Sequence, residues 1–338
     1  MSLRILRPGL LTTVQDLGRF GYQKDGIVVG GAMDATALRV ANLLVGNADD
    51  AAGLEITLLG PRIRFEADHL IALTGAHLSP TLNGQPVQPN RPVWVAAGTE
   101  LAFGAPVAGC RAYLAVAGGL AIAPVLGSRA TYLRAGFGGW QGRALRAGDA
   151  LPCADPTPVG HKLMQQLKQG AAPAGWAPAR WTPGPALGPT PRPQPTIRAL
   201  RGPEYGQFSA ASQRDFWQRS FTVTPEADRM GYRLHGPELT RTTAAELLSS
   251  AVTLGTVQVP AGGQPIVLLA DRQTTGGYPR LAQVITADFS ALAQLSPGAL
   301  IRFQEVSLVE AQALYLAQER QLRALQRAVA LQTARHAG

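Results

Sequence analysis

The sequence predicts a mainly β protein of two domains, with some α structure and one long helix at its C-terminal end. Three observations carry that expectation. Short apolar runs recur along most of the chain with turn residues between them, the pattern of strands in a closed barrel or sandwich. The 45 residues from Pro152 to Thr196 contain 11 prolines, a composition that cannot build a packed core and marks a domain boundary. From Leu308 to about Thr333, the residues Leu308, Tyr315, Leu322 and Val329 return every seven positions, which is the seam of a helix docked on its own domain or on a partner.

Composition agrees with this division. A chain of 338 residues suits two domains of ordinary size. With 46% apolar and 16% charged residues it should pack as a globular protein. No apolar segment approaches the roughly 20 residues of a membrane span, and MSLRILRPGL lacks the long apolar region of a signal peptide, so a cytoplasmic location away from membranes is expected. The formal charge is +9, yet the basic residues are scattered and almost all arginine. Neither a clustered basic face nor an RNP or zinc-finger pattern appears, so nucleic acid is not an expected partner. Cys110 and Cys153 have no metal-ligand spacing, and neither have His69, His77, His161, His235 and His336, so no metal site is expected in this chain.

The expected domains are 1–151, a proline-rich linker 152–196, a second domain 197–306, and a helix and tail 307–338. Strands are expected at 3–6 and 10–14, followed by QDLGRFGY, whose glycines present Gln15, Asp16 and Arg19 together. A strand at 27–29 should lead into a helix capped by Asp34 and stopped by Gly46, with Ala37, Leu38, Ala41, Leu44 and Val45 as its buried stripe. Short strands follow from Leu54 to Val116, with a hairpin turn at Asn83-Gly84. Glu55 lies within an apolar strand and needs solvent or a cation, as a structural pair or in a site. The glycine-rich stretch 118–148 reads as loops carrying Arg129, Arg134 and Arg143, either solvated or binding an anion.

The second domain should open with a strand at 197–200 and a helix capped by Ser209. Next, Asp228, Arg229 and Tyr232 form a polar group that echoes Asp16, Arg19 and Tyr22. Paired strands that include Gln258 deliver the chain to DRQTTGGYP, from Asp271 to Pro279. Between two apolar runs this stretch offers a carboxylate, a guanidinium, a carboxamide and two hydroxyls at Asp271, Arg272, Gln273, Thr274 and Thr275, then Tyr278. Gly276 and Gly277 allow close backbone approach to a ligand. The bland alternative is a hairpin that satisfies its own turn.

Several chemistries leave no trace. There is no phosphate loop of the G-x-x-x-x-G-K-[ST] type, no G-x-S-x-G elbow, no H-E-x-x-H helix, and no lysine flanked by methionines to which biotin is attached.

In order, VQDLGRFGY, GGAMDATALRVANLLVGN, LEITLLGPRIRF, RAYLAVAGGL, LGSRATYL, DRMGYRL and TVQVPAGGQPIVLLADRQTTGGYP resemble the allophanate-hydrolase-subunit-2-like, or biotin-dependent carboxyltransferase, family. The resemblance implies tandem cyclophilin-like β-barrel domains. It also implies a subunit-1-like partner, with the A subunit of a 5-oxoprolinase as a further one. The activity implied first is that of the C subunit of an ATP-dependent 5-oxoprolinase, which opens the 5-oxoproline lactam to L-glutamate. The alternatives are the carboxyltransferase half of a urea- or allophanate-type enzyme, and a non-enzymatic antagonist of a histidine-kinase inhibitor. Under the first reading Asp271, Arg272, Gln273, Thr274, Thr275 and Tyr278 are the catalytic group. Gln15, Asp16, Arg19, Asp34, Glu55, Asp228, Arg229, Tyr232 and Gln258 shape the substrate cleft. ATP with Mg is expected to be shared with or bound by the partners, with no covalent biotin on this chain.

Overall fold

The structure is a computed structural model that describes residues 1–170, 175–184, 187, 194–243 and 247–334. The chain divides into two compact units. Met1–Gly18, Asp34–Pro191 and Gln318–Gly338 form the first, and Arg19–Met33 with Arg192–Ala317 form the second.

The first unit holds two six-stranded sheets. Its strands are β1 (Ser2–Arg7), β2 (Leu11–Gln15), β3 (Gly53–Thr57), β4 (Arg62–Phe65), β5 (His69–His77), β6 (Thr81–Leu82), β7 (Gln85–Pro86), β8 (Pro92–Val95), β9 (Glu100–Ala102), β10 (Ala108–Val116), β11 (Ala150–Pro152) and β12 (Trp176–Pro178). One sheet runs β11-β1-β4-β9-β6-β7 and the other β12-β8-β5-β10-β3-β2. Alternate residues point inward, as a strand period of two requires. Leu3, Ile5, Ile63 and Phe65 from one sheet and Leu54, Ile56, Ile71 and Leu114 from the other share one core. The Asn83-Gly84 turn joins β6 to β7 with φ of 50° and 79°, the left-handed pair that a two-residue hairpin demands. Cys110 and Cys153 are both buried and free.

Helix α1 (Ala35–Leu44) begins where Asp34 accepts the Ala37 N–H at 2.9 Å. Its stripe of Val40, Ala41 and Leu44 packs on Leu70, Ala72 and Ala115. Asn42, fully buried on this helix, is satisfied by donating to the Ala51 carbonyl at 2.7 Å and accepting from Asn47 at 3.1 Å. Helix α2 (Pro158–Gln169) lies within the proline-rich region and is capped by Thr157. Segment 27–29, expected as a strand, joins no ladder among the described residues. Its Val29 carbonyl accepts the Arg19 N–H and Gly30 donates to the Ala270 carbonyl, so single bonds take the place of strand pairing.

The second unit is a closed barrel of β13 (Thr196–Arg201), β14 (Ser220–Val223), β15 (Gly231–His235), β17 (Thr256–Gln258), β18 (Ile266–Leu268), β20 (Arg280–Val284) and β21 (Leu300–Glu305), in the order β13-β20-β17-β18-β15-β14-β21. Two further short strands, β16 (Ser250–Ala251) and β19 (Thr275–Gly276), pair with each other in a two-stranded sheet. Helix α3 (Ala210–Gln218) starts at Ser209, whose hydroxyl accepts the Ser212 N–H. Helix α4 is Phe289–Ala293. Phe216, Phe221 and Phe303 cluster in the barrel core, with Phe216 and Phe303 stacked 4.5 Å apart.

Helix α5 runs from Leu308 to Ala334. In the first unit Leu322, Leu325 and Val329 bury against the α1 stripe. In the second, Ala311 packs with Ile285 and Val306. Leu308 and Tyr315, the other members of the expected seam, are 59% and 42% exposed. The heptad therefore marks a docked face only along its later half.

Candidate functional site

The polar loop Asp271–Pro279 belongs to the second unit. Strands β18 and β20, which bracket it, both pair with β17 and not with each other. It is therefore a crossover passing β17 and not a hairpin. Its start is stitched to the turn before β15, because Leu269 donates to the Met230 carbonyl and Asp271 to the Arg229 carbonyl, both at 2.9 Å. Asp228 is exposed and holds that turn by accepting from the Met230 and Gly231 N–H groups at 2.8 and 3.1 Å, the usual work of an Asp in a turn.

At the base of the loop Arg229 grips Asp271 through two N–H groups, at 2.9 and 3.0 Å, and donates to the Gly31 carbonyl at 2.6 Å. Both side chains are buried. Gly30 has a φ of 64°, and a Cβ placed there would stand 3.6 Å from Asp271 Oδ1 and 3.7 Å from Arg19 Nη1. Two guanidiniums and one carboxylate thus gather around the Gly30-Gly31 backbone, with Arg19 only 1% exposed. The positive φ explains the glycine.

Further along, Arg272 is half-buried. Its Nη1 reaches the Leu269 carbonyl at 3.3 Å, and its Nε is buried with no acceptor among the described residues. Burial pulls this guanidinium below its ordinary pKa. Gln273 and Tyr278 line a cleft of about 240 Å³ with Glu226, Asp228, Arg233 and Gln258. Tyr278 is 52% exposed. Gln258 is buried and donates over 3.5 Å to the Tyr278 carbonyl. Thr274 accepts the Val252 N–H through its carbonyl, and Thr275 is exposed within β19. A Cβ at Gly276 would stand 2.6 Å from Gln258 Nε2, so glycine lets the β16–β19 ribbon lie on that carboxamide. Tyr232 stands apart from this group. It is buried in the barrel core and donates to the Leu295 carbonyl at 3.1 Å.

Gln15, Asp16, Asp34 and Glu55 belong to the first unit, where all four are buried. Gln15 donates to Thr13 and to the Thr131 carbonyl, at 3.1 and 3.3 Å. Asp16 accepts from Gly18 and Ser128 at 2.8 and 2.7 Å and from the Arg129 N–H. The Tyr113 hydroxyl donates to Glu55 at 2.7 Å and accepts the Asp34 N–H at the same distance. Burial, with the Glu55 and Asp34 charges, pushes this phenol well above its ordinary pKa, so Tyr113 remains a donor. Tyr113, Ser128 and Thr131 carried no signal in the sequence. Tyr113 meets Glu55 through the β10–β3 register, and the other two come from a loop. Of the glycine-rich stretch, Arg143 pairs with Asp149 and Arg129 donates to the Ile122 carbonyl.

Chemically, the loop concentrates donors beside a carboxylate already neutralised by Arg229. Such an arrangement suits holding a planar amide-like group and stabilising negative charge on its oxygen. Residues 25–305 match the family described as carboxyltransferase domain, subdomain A and B. The 5-oxoprolinase C subunit of Escherichia coli K12 is 45% identical over 310 residues, covering 91% of this chain and 93% of that protein. Its counterpart in Haemophilus influenzae is 42% identical, covering 88% and 89%. The crystal structure of the K. lactis urea amidolyase superposes with a TM-score of 0.85 at 30% identity over 96% of this chain, which spans 20% of that longer one.

Proposed function

The chain belongs to the carboxyltransferase domain family, subdomains A and B, and from that membership we propose that it is the C subunit of an ATP-dependent 5-oxoprolinase. The reading rests on the likeness to bacterial 5-oxoprolinase C subunits, which extends over nearly the whole of both chains. One structural observation carries it into chemistry: the donor-rich loop Asp271–Pro279 is anchored at its base by the buried Arg229–Asp271 pair and opens beside a cleft.

A lactam carbonyl is a poor electrophile, and the phosphoryl group of ATP supplies its activation. The chain's residues hold the ring. In this reading the Gln273 carboxamide, the Thr274 and Thr275 hydroxyls and the Tyr278 phenol orient the amide and donate to its oxygen as charge develops there. Among the described residues no group of three or more His, Cys, Asp or Glu is arranged to hold a metal ion. We propose that magnesium and the nucleotide are bound by, or shared with, the partners, a subunit-1-like protein and the 5-oxoprolinase A subunit.

The test is ADP release by the purified chain with those partners. Release that requires 5-oxoproline and every partner is the expected result. Partner binding without 5-oxoproline-dependent release overturns the proposal. The fold shared with urea amidolyase supports a second reading, transfer of carboxylate from a biotinyl carrier to a urea-like nitrogen. Adding such a carrier and urea in place of 5-oxoproline distinguishes the two.

A further inference from the structure

The carboxylate of the loop is already taken. Arg229 uses two N–H groups on Asp271, so Asp271 has a committed cation and the next residue, Arg272, lacks a partner of opposite charge. Arg272 forms no ion pair among the described residues, its bond to Leu269 is long, and its Nε is buried without an acceptor. Elsewhere Arg39, Arg143, Arg198 and Arg280 each hold a carboxylate, while Arg91 shares with Arg272 a buried Nε and a long bond to a carbonyl but lies outside the donor-rich loop. A guanidinium removed from water without an anion lowers stability, and a position on the donor-rich loop gives it a use.

Resting on the lactam-opening reading, we infer that Arg272 receives the carboxylate of the substrate and so selects an amino-acid lactam over a neutral one. The planar guanidinium fork matches a carboxylate in two parallel hydrogen bonds. The ring amide is left to Gln273, the threonines and Tyr278, which follow Arg272 on the same loop. In this division Arg272 reads charge and the residues that follow it do chemistry.

The inference is tested in the assembled complex with two probes, 5-oxoproline and 2-pyrrolidinone, the same ring without the carboxylate. Wild type should prefer 5-oxoproline by about 10- to 100-fold in kcat/KM, the range that loss of a charge-assisted hydrogen bond gives. In Arg272→Gln the KM for 5-oxoproline should rise by about that factor, the preference should shrink towards one, and the KM for ATP should stay unchanged. Arg272→Lys, which keeps the charge without the fork, should recover part of the loss. The melting temperature of Arg272→Gln should equal or exceed that of wild type, because a desolvated cation has been removed. A raised KM for ATP would instead place a nucleotide phosphate on Arg272 and overturn the inference. So would an Arg272→Gln enzyme whose KM for 5-oxoproline lies within about twofold of wild type. Wild-type turnover separates the two failures. Its absence overturns the lactam-opening reading itself, whereas normal turnover with an indifferent Arg272 overturns only the assignment of the carboxylate.

Discussion

At the scale of single residues, the Arg229–Asp271 pair is a demanding contact of the second unit. Both groups are buried, so removing one partner strands the charge of the other. Arg229→Met should lower unfolding free energy by about 3–5 kcal/mol, and Arg229→Met with Asp271→Asn should recover much of it. Urea denaturation of the four proteins in that cycle measures the coupling, and a purely additive double variant would contradict it. His69 gives a pH signature of its own. Burial is the main cause that depresses its pKa from 6.5 to about 4. The folded chain thus favours neutral imidazole, and the unfolded chain takes up the proton first. Stability is full above pH 6.5 and falls as pH drops towards 4, by about 3 kcal/mol from this group. Asp149, lowered to about 2 by its hydrogen bonds with Arg143, loses its contribution at lower pH. Replacing His69 by Leu should flatten unfolding free energy between pH 6.5 and 4 and leave the steeper loss below it.

Among elements, α5 depends on its later half. Leu322→Ala removes a side chain that is 2% exposed and packed with Val40 and Leu44, and should cost about 2–5 kcal/mol. The matching change at the exposed Leu308 should cost under about 0.5 kcal/mol, and thermal melts of the two variants test the difference. Gly276→Ala should disturb the β16–β19 ribbon by pressing on Gln258, seen as a raised KM at near-normal melting temperature. Local signals made much of this legible beforehand. Asp34 and Gly46 bounded α1, Ser209 started α3, and short apolar runs between turn residues located most of the strands. What remained hidden was pairing between distant segments. Nothing near Asp271 says that β18 and β20 lie on opposite sides of β17, or that its cation is Arg229. Tyr232 reads alike as a binding phenol or as an inward strand position, and only the closed barrel shows that it is inward.

For the molecule as a whole, neither compact unit is one continuous stretch. Arg19–Met33 is grouped with residues 192–317, and within that unit it supplies the Gly31 carbonyl to Arg229 and the Gly30 N–H to Ala270. A fragment of residues 192–317 should therefore fold poorly alone. Joining residues 19–33 to it through a flexible linker should restore cooperative unfolding, and equal stability of the two fragments would refute this. The prolines of 152–196 led to the expectation of a boundary there. The sequence held no sign of the exchanged segment, because ownership of a strand-free stretch is decided by bonds to remote residues and not by its composition.

The two buried cysteines offer a use of another kind. Cys110 and Cys153 both lie in the first unit, and the chain has no others. Burial raises the pKa of both thiols, that of Cys153 to about 12, so few thiolates exist at neutral pH and an alkylating reagent meets a closed protein. Alkylation then becomes a clock for opening of the first unit alone. Timed by mass spectrometry while substrate or partner is added, it would report whether events at the second unit's loop loosen the sheets that carry Glu55 and Tyr113, with no label introduced.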